Sequence, residues 1–219
     1  MASFNIAIDG PSGVGKSTIA DILADKLDMR HLDTGAMYRG VAYFLNKANT
    51  DLNDEIALKN ALDQIHMIFD ENNCLFVNGE DVSGKIRTNP ISMFASKIAT
   101  LPQVRTKLVD LQQEITKNKG YIVDGRDICS VVLPDAEVKI YMDATSKARA
   151  QRRYLEYVNK GIEADYETIY QDIVARDYQD SHREISPLVK AEDAIELDTS
   201  DLTIDEVVEK ALEIIHNVF

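Results

Sequence analysis

The sequence predicts an α/β fold in which a five-stranded parallel core sheet is flanked by helices. Short apolar runs, typical of buried strands, alternate along the chain with turn residues and with segments of helical periodicity. Between positions 66 and 84 this pattern gives way to short alternating runs joined by turn residues, which indicates a small antiparallel insert. At 219 residues the chain is long enough for one buried core with such an insert.

The predicted core strands are five short segments, and helices are predicted between them. The strands are Phe4 to Ile8, Met29 to Asp33, Tyr121 to Asp124, Val138 to Asp143 and Ala194 to Asp198. Helical spacing is found over 18–27, from Thr34 onward, and over 53–65, 91–99, 104–115, 146–160 and 203–218, with one more helix through Ile173. In such sheets ligands bind at the carboxyl ends of the strands, so the site residues are expected there.

The strongest motif lies between the first predicted strand and the first predicted helix. The pattern Gly, four residues, Gly, Lys, Ser/Thr of a phosphate-binding loop is filled here. Its glycines let successive backbone N–H groups point into one concavity, to which the following helix adds its positive end. A Gly-rich turn that only links strand to helix is the alternative. The nucleotide-binding residues are expected to be Gly10, Pro11, Ser12, Gly13, Val14, Gly15, Lys16, Ser17 and Thr18.

Three residues near this loop carry the expected phosphate and metal chemistry. Lys16 is expected to reach the β- and γ-phosphates of a nucleotide, and the Ser17 hydroxyl to take one position on Mg²⁺. Asp124 ends a predicted apolar strand, where an acidic residue can hold Mg²⁺ or its water shell. A plain Asp-Gly turn is the alternative, but Arg126 and Asp127 follow directly and favour a site.

Several of the ten arginines of this acidic chain fall beside turn signals, which suggests phosphate clamps. Arg149, Arg152 and Arg153 share one face of a predicted helix. That face is either solvated, with Glu156 pairing to Arg152 or Arg153, or part of a mobile flap that folds over a triphosphate. Thr34 fits a helix N-cap and a ligand contact equally well.

The net charge and the hydropathy of the chain argue against nucleic-acid-binding and membrane-bound functions. The net charge of −13 argues against a nucleic-acid polymer or an anionic membrane as a partner, because the surface would repel both. No apolar run approaches the roughly 18 residues that a membrane span requires, and the N-terminus has no signal-peptide pattern, so a cytoplasmic location is expected.

Together, these motifs resemble one family closely, the bacterial cytidylate kinases of the nucleoside-monophosphate (NMP) kinase type. The resemblance spans essentially the whole chain and is carried by Asp9 to Ser17, Leu32 to Arg39, Gly79 to Gly84, Val123 to Ile128, Arg149 to Arg153 and Ala175 to Leu188. It implies a P-loop kinase fold with a core over about residues 1–37, 104–149 and 166–219. It also implies an NMP-binding insert over about 38–103 and a helical lid over about 150–165.

The resemblance further implies the contacts to the acceptor nucleotide. Residues matching Ser96, Arg105, Asp127 and Arg183 contact the cytosine ring, those matching Arg176 and Asp180 hold the ribose, and those matching Arg39 and Arg126 contact the acceptor phosphate. Thr34 completes the expected substrate-binding set. One departure bears on the backbone after Asp127, because the family usually reads Asp-Ile-Gly-Thr where this chain has Asp127-Ile128-Cys129-Ser130.

The expected reaction is transfer of the γ-phosphoryl group of ATP to CMP or dCMP, assisted by Mg²⁺, by a chain whose family precedent is monomeric. Phosphoryl transfer depends mainly on positioning and charge neutralisation, so the expected catalytic residues are Lys16, Arg126, Arg149, Arg152 and Arg153. One alternative is a kinase for another nucleoside monophosphate, such as UMP together with CMP, or for another small acceptor. A nucleotide-dependent switch is disfavoured, because Asn46-Lys47-Ala48-Asn49 lacks the Asp of a guanine-binding motif.

Overall fold

The structure is a computed structural model that describes residues 2–70 and 72–219. The chain divides into two compact units, of which the first runs up to His31 and resumes from Asn118 to Phe219, and the second is Leu32–Lys117. The strands are β1 (Ile6–Asp9), β2 (Arg30–Asp33), β3 (Met67–Phe69), β4 (Leu75–Val77), β5 (Glu80–Asp81), β6 (Tyr121–Gly125), β7 (Val138–Asp143) and β8 (Ile195–Asp198). The helices are α1 (Lys16–Leu27), α2 (Thr34–Lys47), α3 (Glu55–Asp63), α4 (Asn89–Ile98), α5 (Pro102–Thr116), α6 (Ser146–Asn159), α7 (Tyr166–His182) and α8 (Ile204–His216).

The core sheet has five strands in the order β2-β6-β1-β7-β8, which confirms the predicted α/β fold. β1 pairs in parallel with β6 and β7, and β7 pairs in parallel with β8. Residues Ile6, Ala7 and Ile8 of β1 are completely buried, since helices cover both faces of a central parallel strand. Apolar residues of α1 and α8, among them Leu23 and Val208, belong to the same buried cluster as β1 and β7. The phosphate loop therefore follows a completely buried central strand of the sheet.

The second unit contains α2 to α5 and the small antiparallel sheet, in the order β3-β4-β5. The predicted antiparallel insert is confirmed by this sheet. At Gly40 of α2 an added Cβ would lie 2.9 Å from a methyl group of Leu75 and 3.2 Å from one of Val77, both on β4. The absence of a side chain at Gly40 thus lets the helix pack closely on the strand.

The main departure from the predicted elements is a short π-helical segment, Ile128–Val132, that follows β6. α1 also begins two residues earlier than predicted, at Lys16, because Gly15 adopts a left-handed conformation with φ of 100° and its carbonyl accepts the N–H of Ile19. In the described part of the chain, no helix is long and apolar enough to cross a membrane.

Candidate active site

The phosphate loop follows β1 and contains glycines with positive φ. At Gly10, with φ of 151°, an added Cβ would lie 2.0 Å from the carbonyl oxygen of Met142 on β7. Gly13 and Gly15 have φ values of 77° and 100°, which residues with a side chain rarely adopt. The loop therefore depends on glycine for steric reasons at Gly10 and for conformational reasons at Gly13 and Gly15.

Lys16 is buried at the start of α1, and its ammonium group faces the loop itself. Nζ donates hydrogen bonds to the carbonyl oxygens of Gly10 and Pro11, both at 2.8 Å. Burial and, to a smaller extent, the nearby charge of Arg126 lower the pKa of Lys16, Asp124 and Asp9 act in the opposite direction, and the resulting pKa is about 7. A bound phosphate would supply the negative charge that this buried ammonium lacks.

Ser17 and Asp124 meet at the site predicted for Mg²⁺. The Ser17 hydroxyl donates to Oδ2 of Asp124 at 2.9 Å, so two hard oxygen donors lie side by side near the loop. Among residues 2–70 and 72–219, no group of three or more His, Cys, Asp and Glu side chains could hold a metal ion without other ligands. The pair suits an ion that brings most of its ligands with it as waters and nucleotide phosphates.

His31 is a neighbour of Asp124 that the sequence did not indicate. Its Nε2 lies 2.7 Å from Oδ1 of Asp124, and its Nδ1 lies 2.5 Å from Oδ1 of Asp21. Burial alone would lower the pKa of His31, but the hydrogen bonds to Asp124 and Asp21 raise it to about 10. Burial would raise the pKa of Asp124, yet His31 and Lys16 hold it below its usual value. Asp124 is therefore an ionised carboxylate, as a metal ligand must be.

Within the first unit, the charged residues predicted to bind the acceptor nucleotide lie on α7, at its C-terminal end, and just after β6. Nε of Arg126 donates to Oδ2 of Asp180 at 2.9 Å. Burial would raise the pKa of Asp180, but the charge and hydrogen bond of Arg126, with smaller effects of Arg176 and Arg183, lower it. Nη2 of Arg183 lies 3.7 Å from Oδ1 of Asp127, and both side chains are only 7% exposed. These five residues form a charged acceptor cluster.

Asp9, at the end of β1, holds the backbone that follows Asp127. Its two carboxylate oxygens accept the N–H groups of Ile128 and Cys129, each at 2.8 Å. Burial raises the pKa of Asp9, while these two hydrogen bonds counteract part of that rise. The thiol of Cys129 lies 3.6 Å from the carbonyl oxygen of Ala7. The φ angle of Cys129 is not positive. The backbone here therefore accepts a residue with a side chain, although the family usually has glycine at this position.

The three arginines of α6 have different surroundings. Arg149 is buried, and its contacts are to Ala144, Ser12, Ser146 and Asp177. Arg152 donates to the hydroxyl of Thr199 at 3.2 Å and also to its carbonyl oxygen. The guanidinium of Arg153 lies 6.0 Å from the ring centre of Tyr157. Glu156 pairs with Lys160 at 2.5 Å, so the predicted pairing of Glu156 with Arg152 or Arg153 is wrong.

A cavity of about 510 Å³ lies between the phosphate loop, α6 and the start of α8. Its polar lining includes the loop at Gly13 and Gly15, three arginines of α6, the carboxylate of Glu156 and three threonines, while Leu202 and Ile204 are among its apolar lining. A planar apolar group with a polyphosphate tail matches this combination of surfaces.

The second unit holds the other four residues predicted to bind substrate. Asp33 accepts the N–H of Ala36 at 2.8 Å and so caps α2, which makes Thr34 the first helical residue and the N-cap interpretation of Thr34 wrong. Asp33 also pairs with Arg39 at 3.0 Å. Ser96 lies on α4 and Arg105 on α5, where Arg105 is buried and its Nη1 is 3.5 Å from the carbonyl oxygen of Ala99.

The fold and the phosphate loop identify the class of protein. The chain has the P-loop kinase architecture, with a parallel sheet, a glycine-rich loop and a buried lysine at the start of the first helix. It can be superposed on shikimate kinase from Bacteroides thetaiotaomicron with a TM-score of 0.52 and 10% identity, covering 98% of this chain and 99% of the other. An uncharacterised protein from Eubacterium ventriosum gives the same TM-score at 14% identity, covering 99% of both chains. At these identities the likeness concerns the fold alone.

The particular family follows from sequence comparison. The cytidylate kinase family model matches residues 6–217, and the chain belongs to that family. It is 50% identical over 213 residues to a cytidylate kinase from Lactobacillus johnsonii, covering 96% of this chain and 93% of the relative. A cytidylate kinase from Thermosipho melanesiensis is 48% identical over 210 residues, covering 96% and 95% of the two chains. The resemblance inferred from the motifs is thereby confirmed.

Proposed function

We propose that this protein transfers the γ-phosphoryl group of ATP to CMP and dCMP, giving ADP and the nucleoside diphosphate. The observation that carries the proposal is the buried Lys16 of the phosphate loop, whose electrostatic surroundings include Arg126 and Asp180 of the acceptor cluster. Membership of the cytidylate kinase family supports the choice of acceptor.

On the donor side, the backbone N–H groups of Gly10 to Thr18 bind the ATP phosphates, and Lys16 turns from the carbonyls of Gly10 and Pro11 to the transferring group. Ser17 and Asp124 fit Mg²⁺, which would neutralise charge on the phosphate oxygens when bound. Arg152 and Arg153 belong to a lid of about residues 150–165 and add positive charge over the triphosphate. The adenine lies in the cavity of about 510 Å³.

On the acceptor side, Arg126 binds the phosphate of CMP and is oriented by Asp180. Asp127 accepts a hydrogen bond from the exocyclic amine of cytosine, and Arg183 holds Asp127 in place. Arg176 and Asp180 bind the ribose. By family resemblance, Arg39 and Ser96 of the insert of about residues 38–103 and Arg105 in the first turn of α5 also contact the acceptor. Thr34, at the start of α2, is the remaining residue proposed to bind substrate. No proton has to be removed from the acceptor, since its phosphate is already ionised.

The setting proposed for this activity is a monomer in the cytoplasm. The monomer follows family precedent, and the net charge of −13 disfavours nucleic-acid polymers and anionic membranes as partners. A broader pyrimidine kinase that also accepts UMP is the second candidate function, because the phosphate loop does not distinguish between bases.

The test is ADP release from ATP with each nucleoside monophosphate in turn. Uracil presents a carbonyl where cytosine presents an amine, so UMP would place two acceptors together at Asp127, and kcat/KM should favour CMP by about 10²–10³-fold. Asp127→Ala should narrow this ratio mainly by impairing CMP, whereas Asp135→Ala, which removes an exposed carboxylate nearby, should leave it unchanged. Comparable kcat/KM for UMP and CMP in the unmodified protein would support the broader kinase instead.

A further inference from the structure

Arg149 uses every N–H group that an arginine has. A guanidinium carries five N–H donors. Nε donates to the carbonyl oxygen of Ala144 at 2.9 Å. Nη1 donates to the carbonyl oxygen of Ser12 at 3.1 Å and to Oδ1 of Asp177 at 2.9 Å. Nη2 donates to Oγ of Ser146 at 3.1 Å and to Oδ2 of Asp177 at 2.6 Å. No donor remains for a phosphate unless one of these hydrogen bonds is broken.

The pair of Arg149 and Asp177 has the geometry of a fixed contact. The two side chains form two parallel N–H to oxygen bonds, an arrangement that fixes direction as well as distance. The side chain of Arg149 is 4% exposed, and Cβ of Arg149 lies 3.7 Å from the position that a Cβ on Gly13 would occupy. Breaking such a pair would leave a buried charge without its partner, which is costly.

The position of Ser12 explains what this fixed contact does. Three successive loop carbonyls are held by cationic side chains, those of Gly10 and Pro11 by Lys16 and that of Ser12 by Arg149. Under the proposed function, Lys16 leaves its two carbonyls when ATP arrives. The hydrogen bond from Arg149 to Ser12 then remains, and it keeps this carbonyl turned away from the phosphates so that the loop N–H groups can face them.

We propose that Asp177 is a positioning residue of the donor site, which orients Arg149 so that Arg149 fixes the phosphate loop through Ser12. This inference rests on the proposed function and refines it, since it assigns Arg149 to the shape of the loop, whereas Arg152 and Arg153 contact the triphosphate. Asp177 lies one turn before Asp180 on α7, so a single helix orients Arg149 for the donor site and Arg126 for the acceptor site.

The first experiment measures binding separately from transfer. Asp177→Asn keeps the shape of the side chain but replaces one acceptor oxygen by an amide that faces the guanidinium. Its dissociation constant for a ribose-labelled fluorescent ATP analogue should rise about tenfold, and KM for ATP likewise, while KM for CMP stays within twofold. Asp177→Glu, which keeps the charge and both oxygens, should recover most of the affinity. Asp172→Asn, an exposed change of equal charge on the same helix, should bind ATP like the unmodified protein.

A second pair of variants keeps the test independent of the stability of Asp177→Asn. Arg149→Lys keeps the charge but has only three N–H donors, which are too few for the acceptors around Arg149. Its dissociation constant for the ATP analogue and its KM for ATP should rise as in Asp177→Asn, while KM for CMP should not. In an Arg149→Met background, Asp177→Asn should change the dissociation constant by less than twofold, because the contact that it removes is already absent.

Three results would overturn the proposal. They are unchanged ATP binding in both Asp177→Asn and Arg149→Lys, equal increases in KM for ATP and CMP, or additive effects in the double variant. Failure of the proposed function would look different, because the unmodified protein would then transfer phosphate to no nucleoside monophosphate, while the effect of Asp177→Asn on ATP binding could still be measured.

Discussion

Replacing Lys16 by Met should stabilise the ligand-free protein while slowing phosphoryl transfer at least roughly a hundredfold. Burial, together with the charge of Arg126, lowers the pKa of Lys16 from 10.5 to about 7 despite the nearby carboxylates, a difference that corresponds to about 5 kcal/mol when the amine is fully charged and about 4 kcal/mol at pH 7. Loss of the hydrogen bonds to Gly10 and Pro11 acts against this by about 1–3 kcal/mol. The free energy of unfolding should therefore rise by about 1–3 kcal/mol, or Tm by about 2–10 °C.

The pH dependence of this difference follows from the sign of the shift. Between pH 7 and pH 10.5 the unfolded chain binds the lysine proton more strongly than the folded protein does, so the stability of the unmodified protein rises with pH in that window. The penalty from Lys16 is fully present well below pH 7 and absent above pH 10.5. The advantage of Lys16→Met should thus shrink steadily as the pH is raised from 7 to 10.

Urea denaturation of both proteins at pH 6, 7, 8.5 and 10 measures the effect, and ADP release with CMP measures transfer. The kcat of Lys16→Met should fall at least roughly a hundredfold, since a preorganised charge at the transferring group is lost. Lys26→Met, at an exposed position of the same helix, serves as the control and should alter neither quantity. The reasoning is refuted if Lys16→Met is less stable than the unmodified protein at pH 7, or if its advantage is the same at pH 10.

The remaining expectations concern the loop glycines and the acid limit of stability. Gly10→Ala should prevent tight binding of the ATP analogue, because the added Cβ would lie 2.0 Å from the carbonyl oxygen of Met142. The Cβ added by Gly15→Ala meets no atom within 4 Å, so this variant should lose only about 1–2 kcal/mol of stability from backbone strain. Equal losses of ATP binding in the two variants would contradict this expectation. Hydrogen bonds from Lys47 and, to a smaller extent, from Lys85 lower the pKa of Glu80 to about 2. The ionised Glu80 therefore stabilises the folded protein above pH 4.5, and this stabilisation is lost as the pH falls through 2. Acid titration followed by circular dichroism should show this loss in the unmodified protein and not in Glu80→Gln.

The core sheet and the phosphate loop could be predicted because their signals are local. The three inner strands β1, β6 and β7 are rich in apolar residues, and the loop motif fixes its own strand and helix context. The cap of α2 could not be chosen on the same basis, since Asp33 and Thr34 are adjacent and both are good capping residues. Only the backbone geometry shows that Asp33 accepts the N–H of Ala36.

Contacts between positions far apart in the sequence could not be predicted. His31 has partners 10 and 93 positions away, at Asp21 and Asp124, and nothing near His31 in the sequence marks either of them. Helical spacing placed Arg149 on a face with Arg152 and Arg153, but spacing does not tell which arginine on a face is buried. The role of Arg149 depends on Ser12, 137 positions away, and on Asp177, which the sequence offered only as the residue after Arg176.

The buried carboxylate of Asp9 ties two segments of the proposed site to one strand end. Asp9 directly precedes the phosphate loop, and it binds the backbone directly after Asp127. A thermal displacement of this strand end therefore carries both segments in the same direction, and the separation between them varies less than the position of either. Misplacement of about 1 Å can slow a transfer reaction about a hundredfold. Under the proposed function, donor and acceptor loops that share one point of attachment are protected from that loss.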